Sequence, residues 1–161
     1  MIILGIDPGT ATTGYGVIKK RKDGTIETLD HGCIITSPDL SPGERLKIIS
    51  SDLNKIISKH KPKFLAVENL YFFKNLKTAM PVSQAKGVIL LAAAERNIPV
   101  FEFTPLEVKM TVAGYGRAEK KQVQKMIQTF LNLEEFPKKD DAADALGVAL
   151  CCLLKEKFRL S

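Results

Sequence analysis

No apolar run in this chain approaches the roughly 20 residues that a bilayer-crossing helix needs, so no membrane span is predicted. The apolar opening from Met1 to Ile6 is short and ends on Asp7. It lacks the basic flank and small-residue cleavage site of a signal peptide, and none is expected. Cysteine is scarce: Cys33, Cys151 and Cys152 form an odd set without a C-x-x-C pair. That argues against both a disulfide framework and a zinc site, and points to reduced thiols in the cytoplasm. Internal repeats, low-complexity tracts and linkers are missing as well. The two histidines, His31 and His60, are isolated and read as structural or surface residues.

What is present is an ordinary globular composition, 45% hydrophobic and 26% charged over 161 residues. That length suffices for one well-buried domain and not for two. The domain is expected to span 1–157, with 158–161 as a tail. The formal net charge is +6, and setting four clustered acids aside would leave +10 on the remaining surface. A positive surface around a negative pit suits a polyanion, nucleic acid first.

Apolar, β-branched runs predict strands at Ile2–Ile6, Gly14–Lys19 and Thr25–Thr36, the last irregular at His31–Gly32. Their short connections make an antiparallel meander. Pro42–His60 is predicted helical, with Leu46, Ile49, Leu53, Ile56 and Ile57 on one stripe, and Pro62 stops it. Phe64–Val67 is a fourth strand, ended by Glu68. Leu70–Lys77 reads as an exposed loop with three aromatics in a row. A small-residue-rich helix follows to about Arg96, with Pro81 near its start or kinking it. Pro99–Phe103 is the fifth strand, Pro105–Val112 a short helix, 113–117 a glycine-bearing loop and Ala118–Leu131 a helix. Asp141–Lys157 is a last helix, apolar on almost every side. Three strands followed by alternating strands and helices predict an α/β fold, a mixed five-stranded sheet flanked by helices.

Four acids stand out against this frame. Asp7 and Glu68 each follow an apolar strand, at the sheet edge where α/β proteins bind ligands. Asp141 and Asp144 are three residues apart on one helix face, in a run so apolar that a carboxylate there needs a partner or a metal. Asp140 is the alternative to Asp141, although it lacks the three-residue spacing to Asp144. Convergent carboxylates fit phosphodiester hydrolysis, in which paired magnesium ions activate water and stabilise the leaving oxygen. Each acid also has a structural reading: Asp7 as a turn residue before Pro8-Gly9, and Asp141 as a charge complementing a helix N-terminus.

The opening G-I-D-P-G-T-x-x-T-G-Y-G, the V-E-x-x-Y segment at Val67–Tyr71, the stretch from Pro105 to Gln124 and the closing D-A-A-D-A-L-x-x-A resemble the RuvC family of bacterial Holliday junction resolvases. The match runs in order over nearly the whole chain. It implies a ribonuclease H-like fold, a homodimer and magnesium-dependent cutting of four-way DNA junctions by paired nicks, in DNA recombination and repair. It carries over Asp7, Glu68, Asp141 and Asp144 as ligands of Mg2+, two per subunit, with Mn2+ as a substitute. It carries over Lys109 and Lys120 as basic residues that contact DNA and assist cleavage. Tyr71 falls where the family often has a phenylalanine that stacks on bases, and either ring can stack.

Phe72, Lys74 and Lys77 beside it, and Arg117, complete the expected DNA contacts, with Phe73 expected in the core. Docking with the RuvA and RuvB branch-migration proteins is implied in the same way. The closing motif follows one extra residue around Lys138–Asp140. The apolar helix from about Val82 to Ala94 reads either as a dimer interface or as domain core. Two competing functions remain: a related nuclease acting on RNA or simpler DNA, and a non-catalytic junction-binding protein. An ATP-handling protein would share the strand-Asp-x-Gly-Thr opening but would need a second domain.

Overall fold

The computed structural model describes residues 1–69 and 76–159. Five strands, β1 (Ile2–Asp7), β2 (Thr12–Lys20), β3 (Ile26–Ile35), β4 (Phe64–Glu68) and β5 (Val100–Phe103), form one sheet in the order β3-β2-β1-β4-β5. The first three are antiparallel neighbours, while β4 and β5 run parallel to β1. The mixed α/β sheet is as expected.

The irregularity expected at His31–Gly32 lies earlier. Val17 faces Asp30 and Ile18 faces Thr28, so Leu29 is the extra residue, while His31 and Gly32 stay in register with Gly16 and Tyr15. The extra residue lets Leu29 pack against the adjoining core. Gly32 serves another purpose: a Cβ there would press on the Tyr15 ring.

Alternation along the strands divides the interior into two cores. Leu4, Ile6, Val17, Leu65 and Val67 face one way, onto α1 (Pro42–His60) and α2 (Leu76–Ala94). Ile3, Ile18, Ala66 and Phe103 face the other, onto α3 (Pro105–Ala113), α4 (Lys120–Leu131) and α5 (Asp140–Arg159). Helix α1 carries every local signal of a helix. Ser41 caps it in a reciprocal box with Glu44, Pro42 opens it, and Lys61 closes it in the left-handed region. Its expected stripe holds: Ile49, Leu53 and Ile57 are buried.

Helix α2 starts earlier than its proline suggested. Pro81 lies inside it, and Lys77 belongs to the helix and not to a loop. The missing N–H forfeits one bond, to the Lys77 carbonyl. The side chains of Ala85, Ile89, Ala92 and Ala93 pack under the sheet, while Met80 and Leu91 stay exposed. Helix α4 begins two residues later than expected, because the Gln122 side chain accepts from the Glu119 N–H at 2.9 Å and closes the turn there. Helix α5 begins one residue earlier and ends two later than predicted. It lies across β1 and β2, with Leu146, Leu150 and Leu153 fully buried. Each such side chain contributes about 1.5–3 kcal/mol of transfer free energy.

Candidate active site

The parallel pairing of β1 with β4 matches Ile6 to Val67, so Asp7 and Glu68 are the next residues on adjacent strands. Gly5 and Ala66, two residues earlier, lie on the α5 side of the sheet, and strand periodicity therefore turns Asp7 and Glu68 to that side as well. Glycine is what lets α5 come close enough to meet them. A Cβ at Gly5 would collide with the Ala145 carbonyl, and one at Gly14, the β2 partner of Asp7, with the Asp141 carbonyl. The start of α5 thus rests on the strand ends, and Asp141 and Asp144 arrive beside Asp7 and Glu68.

The carboxyl groups feel one another. Burial pushes the Asp7 pKa up to about 9, helped by the charges of Glu68, Asp144 and Asp141 and by a hydrogen bond that protonated Asp7 donates to Glu68. Burial raises Glu68 too, then the charge of Asp144, against the opposing pull of the Asp7 hydrogen bond and Lys120. Asp144 is likewise raised by burial, with Lys120 opposing and Asp140 and Asp141 adding to the shift.

A cleft of about 310 Å³ opens beside the acids, lined by Glu68, Asp144, Lys109 and Lys120 and floored by apolar residues such as Val108 and Ile127. Two acids and two lysines singled out from the sequence therefore share one cavity. The Lys120 ammonium sits 2.8 Å from Asp140 Oδ2 on the open rim. That hydrogen bond is the main reason its pKa is raised; burial opposes it, and Asp144 and Asp141 add their charge. Asp140 is exposed and occupied with Lys120, whereas half-buried Asp141 acts on both Asp7 and Asp144.

A second layer holds the strand ends. Thr13 Oγ1 donates to the Gly9 carbonyl. Thr36 Oγ1 donates to the Thr10 carbonyl at 2.6 Å and accepts from Arg45 Nε at 2.8 Å. After Glu68, the Asn69 N–H donates to the Phe103 carbonyl at 2.8 Å, and Asn69 Oδ1 accepts from Lys86 Nζ at 3.1 Å. Lys86 also pairs with Glu102. None of these partners was singled out from the sequence, where Thr13, Thr36 and Arg45 look like any polar residue.

Of the remaining expected contacts, Lys77 is exposed in the first turn of α2 and Arg117 is exposed between α3 and α4. Tyr71, Phe72, Phe73 and Lys74 lie outside the described residues. His60 is structural: its ring meets Asp30 Oδ2 at 2.9 Å, beside Lys59. Cys151 and Cys152 are buried.

Among the described residues, no three His, Cys, Asp or Glu side chains stand close enough together to hold a metal ion as they are placed. The acids form an open set of oxygen donors. Such a set suits a hard divalent cation, which takes oxygen ligands. Burial and crowding oppose the ionisation of these carboxylates, and a cation bound among them would favour their charged forms.

A mixed sheet with acids at the ends of two neighbouring strands and on the helix crossing them defines a nuclease domain of the ribonuclease H-like class. The sequence model described as crossover junction endodeoxyribonuclease RuvC matches residues 3–152, and the chain belongs to that family. Its relatives include the RuvC of Fusobacterium nucleatum, 52% identical over 93% of this chain and 78% of that one. The RuvC of Moorella thermoacetica is 54% identical over 94% of this chain and 90% of its own length. Among solved structures, Thermus thermophilus RuvC in complex with a Holliday junction substrate superposes with a TM-score of 0.94, at 32% identity. The match covers 99% of this chain and 96% of that one.

Proposed function

We propose that this chain is an endonuclease that resolves four-way DNA junctions by paired symmetric nicks, leaving 5′-phosphate and 3′-hydroxyl ends. The observation that carries the reading is the convergence of Asp7, Glu68 and Asp144, each raised chiefly by burial, beside a cleft that Glu68 and Asp144 line together with Lys109 and Lys120. In a member of the crossover junction family, that cleft is where a scissile phosphate belongs.

Asp7, Glu68, Asp141 and Asp144 would hold divalent cations, magnesium or manganese, two per subunit. Bound there, the cations supply an activated water and neutralise charge on the leaving 3′-oxygen. Lys109 and Lys120 bind the phosphate oxygens and offset the charge that develops in the transition state. The apolar floor of the cleft keeps bulk water from the acids and strengthens these interactions. Asp140 holds Lys120 until a phosphate takes its place, a cheap exchange because exposed ion pairs contribute about 0–1 kcal/mol.

One domain over 1–157 carries the whole site, and two copies about a two-fold axis would match the symmetry of a junction. The exposed side of α2, with Met80 and Leu91, supports a homodimer. Tyr71 and Phe72, with Lys74, Lys77 and Arg117, are assigned to the crossover, and RuvA and RuvB to the branch-migration step. The cytoplasm, where the junction DNA would be met, is the assigned location; among the described residues no helix is long and apolar enough to cross a membrane.

The test is a labelled synthetic junction beside a matched linear duplex, each with magnesium or EDTA. Paired nicks in the junction alone, abolished by EDTA, are expected. Equal cutting of both substrates would leave a nuclease without junction preference, and binding without cutting would overturn the catalytic reading.

A further inference from the structure

A strand lying over the acids must leave the site in two directions, and the Lys109–Lys120 cleft serves only one. On the other side of α5's first turn is a separate groove of about 360 Å³, between β3 and the turn that precedes α5. Its walls include His31, Cys33, Glu135, Lys138, Lys139 and Ala142. It lies two strands from Asp7, since Cys33 pairs with Gly14 and Gly14 with Asp7, and its wall residue Ala142 follows Asp141 on α5.

Lys138 and Lys139 are both exposed and form no ion pair among the described residues, unlike Lys55, Lys59, Lys86, Lys120 and Lys155. Resting on the nuclease reading above, we propose that this groove is a second backbone subsite, in which Lys138 and Lys139 hold a phosphate of the cut strand next to the scissile one. Glu135 lines the same groove and repels a phosphate, which places the subsite toward Lys139 and Ala142, at the start of α5. The cut strand then spans the acids between two pairs of lysines.

The experiment measures junction affinity against salt concentration in EDTA, where no cutting occurs. It compares wild type, Lys138→Gln/Lys139→Gln, Lys138→Arg/Lys139→Arg, and Lys22→Gln/Lys63→Gln as a charge-matched control of exposed lysines at the opposite end of the sheet. The glutamine pair at 138 and 139 should reduce the slope of log affinity against log salt by about one for each phosphate left without its lysine. The arginine pair should keep the wild-type slope, and the control should stay near it. A glutamine pair indistinguishable from the control would overturn the subsite while leaving the nuclease reading intact. Wild-type protein that fails to bind junctions would overturn both.

Discussion

Helices α1 and α5 are nearly equal in length and lie on opposite faces of one sheet, yet they are built on different rules. In α1 every local signal agrees: a capping box, a proline at the start, one apolar stripe and a left-handed cap. Helix α5 is apolar nearly all round and sits on glycines, with carboxylates whose ionisation its own burial opposes. The first is organised for stability alone. The second gives up local consistency where chemistry is needed, as functional sites do.

Substitutions can break this contrast, and the largest effect belongs to Asp7→Asn. Junction cleavage should fall by more than about a hundredfold, beyond the loss expected from removing a supporting partner of a metal ligand. The same change should stabilise the metal-free protein. A carboxyl raised to about 9 in the folded state binds its proton more tightly there than in the unfolded chain. Its contribution is therefore fully present below an unfolded pKa of about 3.9 and is lost as pH rises towards 9. Thermal melts should show the variant's advantage growing from pH 5 to pH 9, and magnesium should shift the wild type upward more than the variant.

Next comes Gly5→Ala, whose new methyl meets the Ala145 carbonyl and Ala149. Lifting α5 should cost about 3 kcal/mol in urea unfolding, at the upper end of overpacking costs. Gly43→Ala in the first turn of α1 meets open space and should change stability by less than about 0.5 kcal/mol. Ser41→Ala, which removes the α1 cap, should cost about 1 kcal/mol and leave cleavage by the folded protein unchanged. Smallest is Asp140→Asn, which frees Lys120. Junction affinity at low salt should rise by no more than a few fold, the size of an exposed ion pair.

Much of this contrast could be read before the structure. The stripe of α1 and the run of short strands followed by alternating elements follow from apolar periodicity, which registers burial directly. The acids stood out because each interrupts an apolar segment. Other features depend on contacts between distant segments and left no local mark. Leu29 is the bulge because of the core beneath it, and α2 reaches past Pro81 because a helix tolerates one missing bond. The pairing of Asp140 with Lys120, twenty residues away, exists only once α4 and α5 are packed. The turn supports, Thr13 on Gly9 and Thr36 on Thr10, are legible only in three dimensions. The glycines of G-Y-G in β2 could have signalled a close approach, since an interior strand gains nothing else from them.

The most direct test of the central claim, that the acids at the meeting of α5 with the strand ends are indispensable to cleavage and not to binding, is a single-turnover assay at saturating junction with magnesium. It would compare wild type with Asp7→Asn and Asp144→Asn, recording binding and nicking together. The account predicts that both variants bind the junction at least as well as wild type and do not nick it. Nicking at the wild-type rate by either variant would contradict the account.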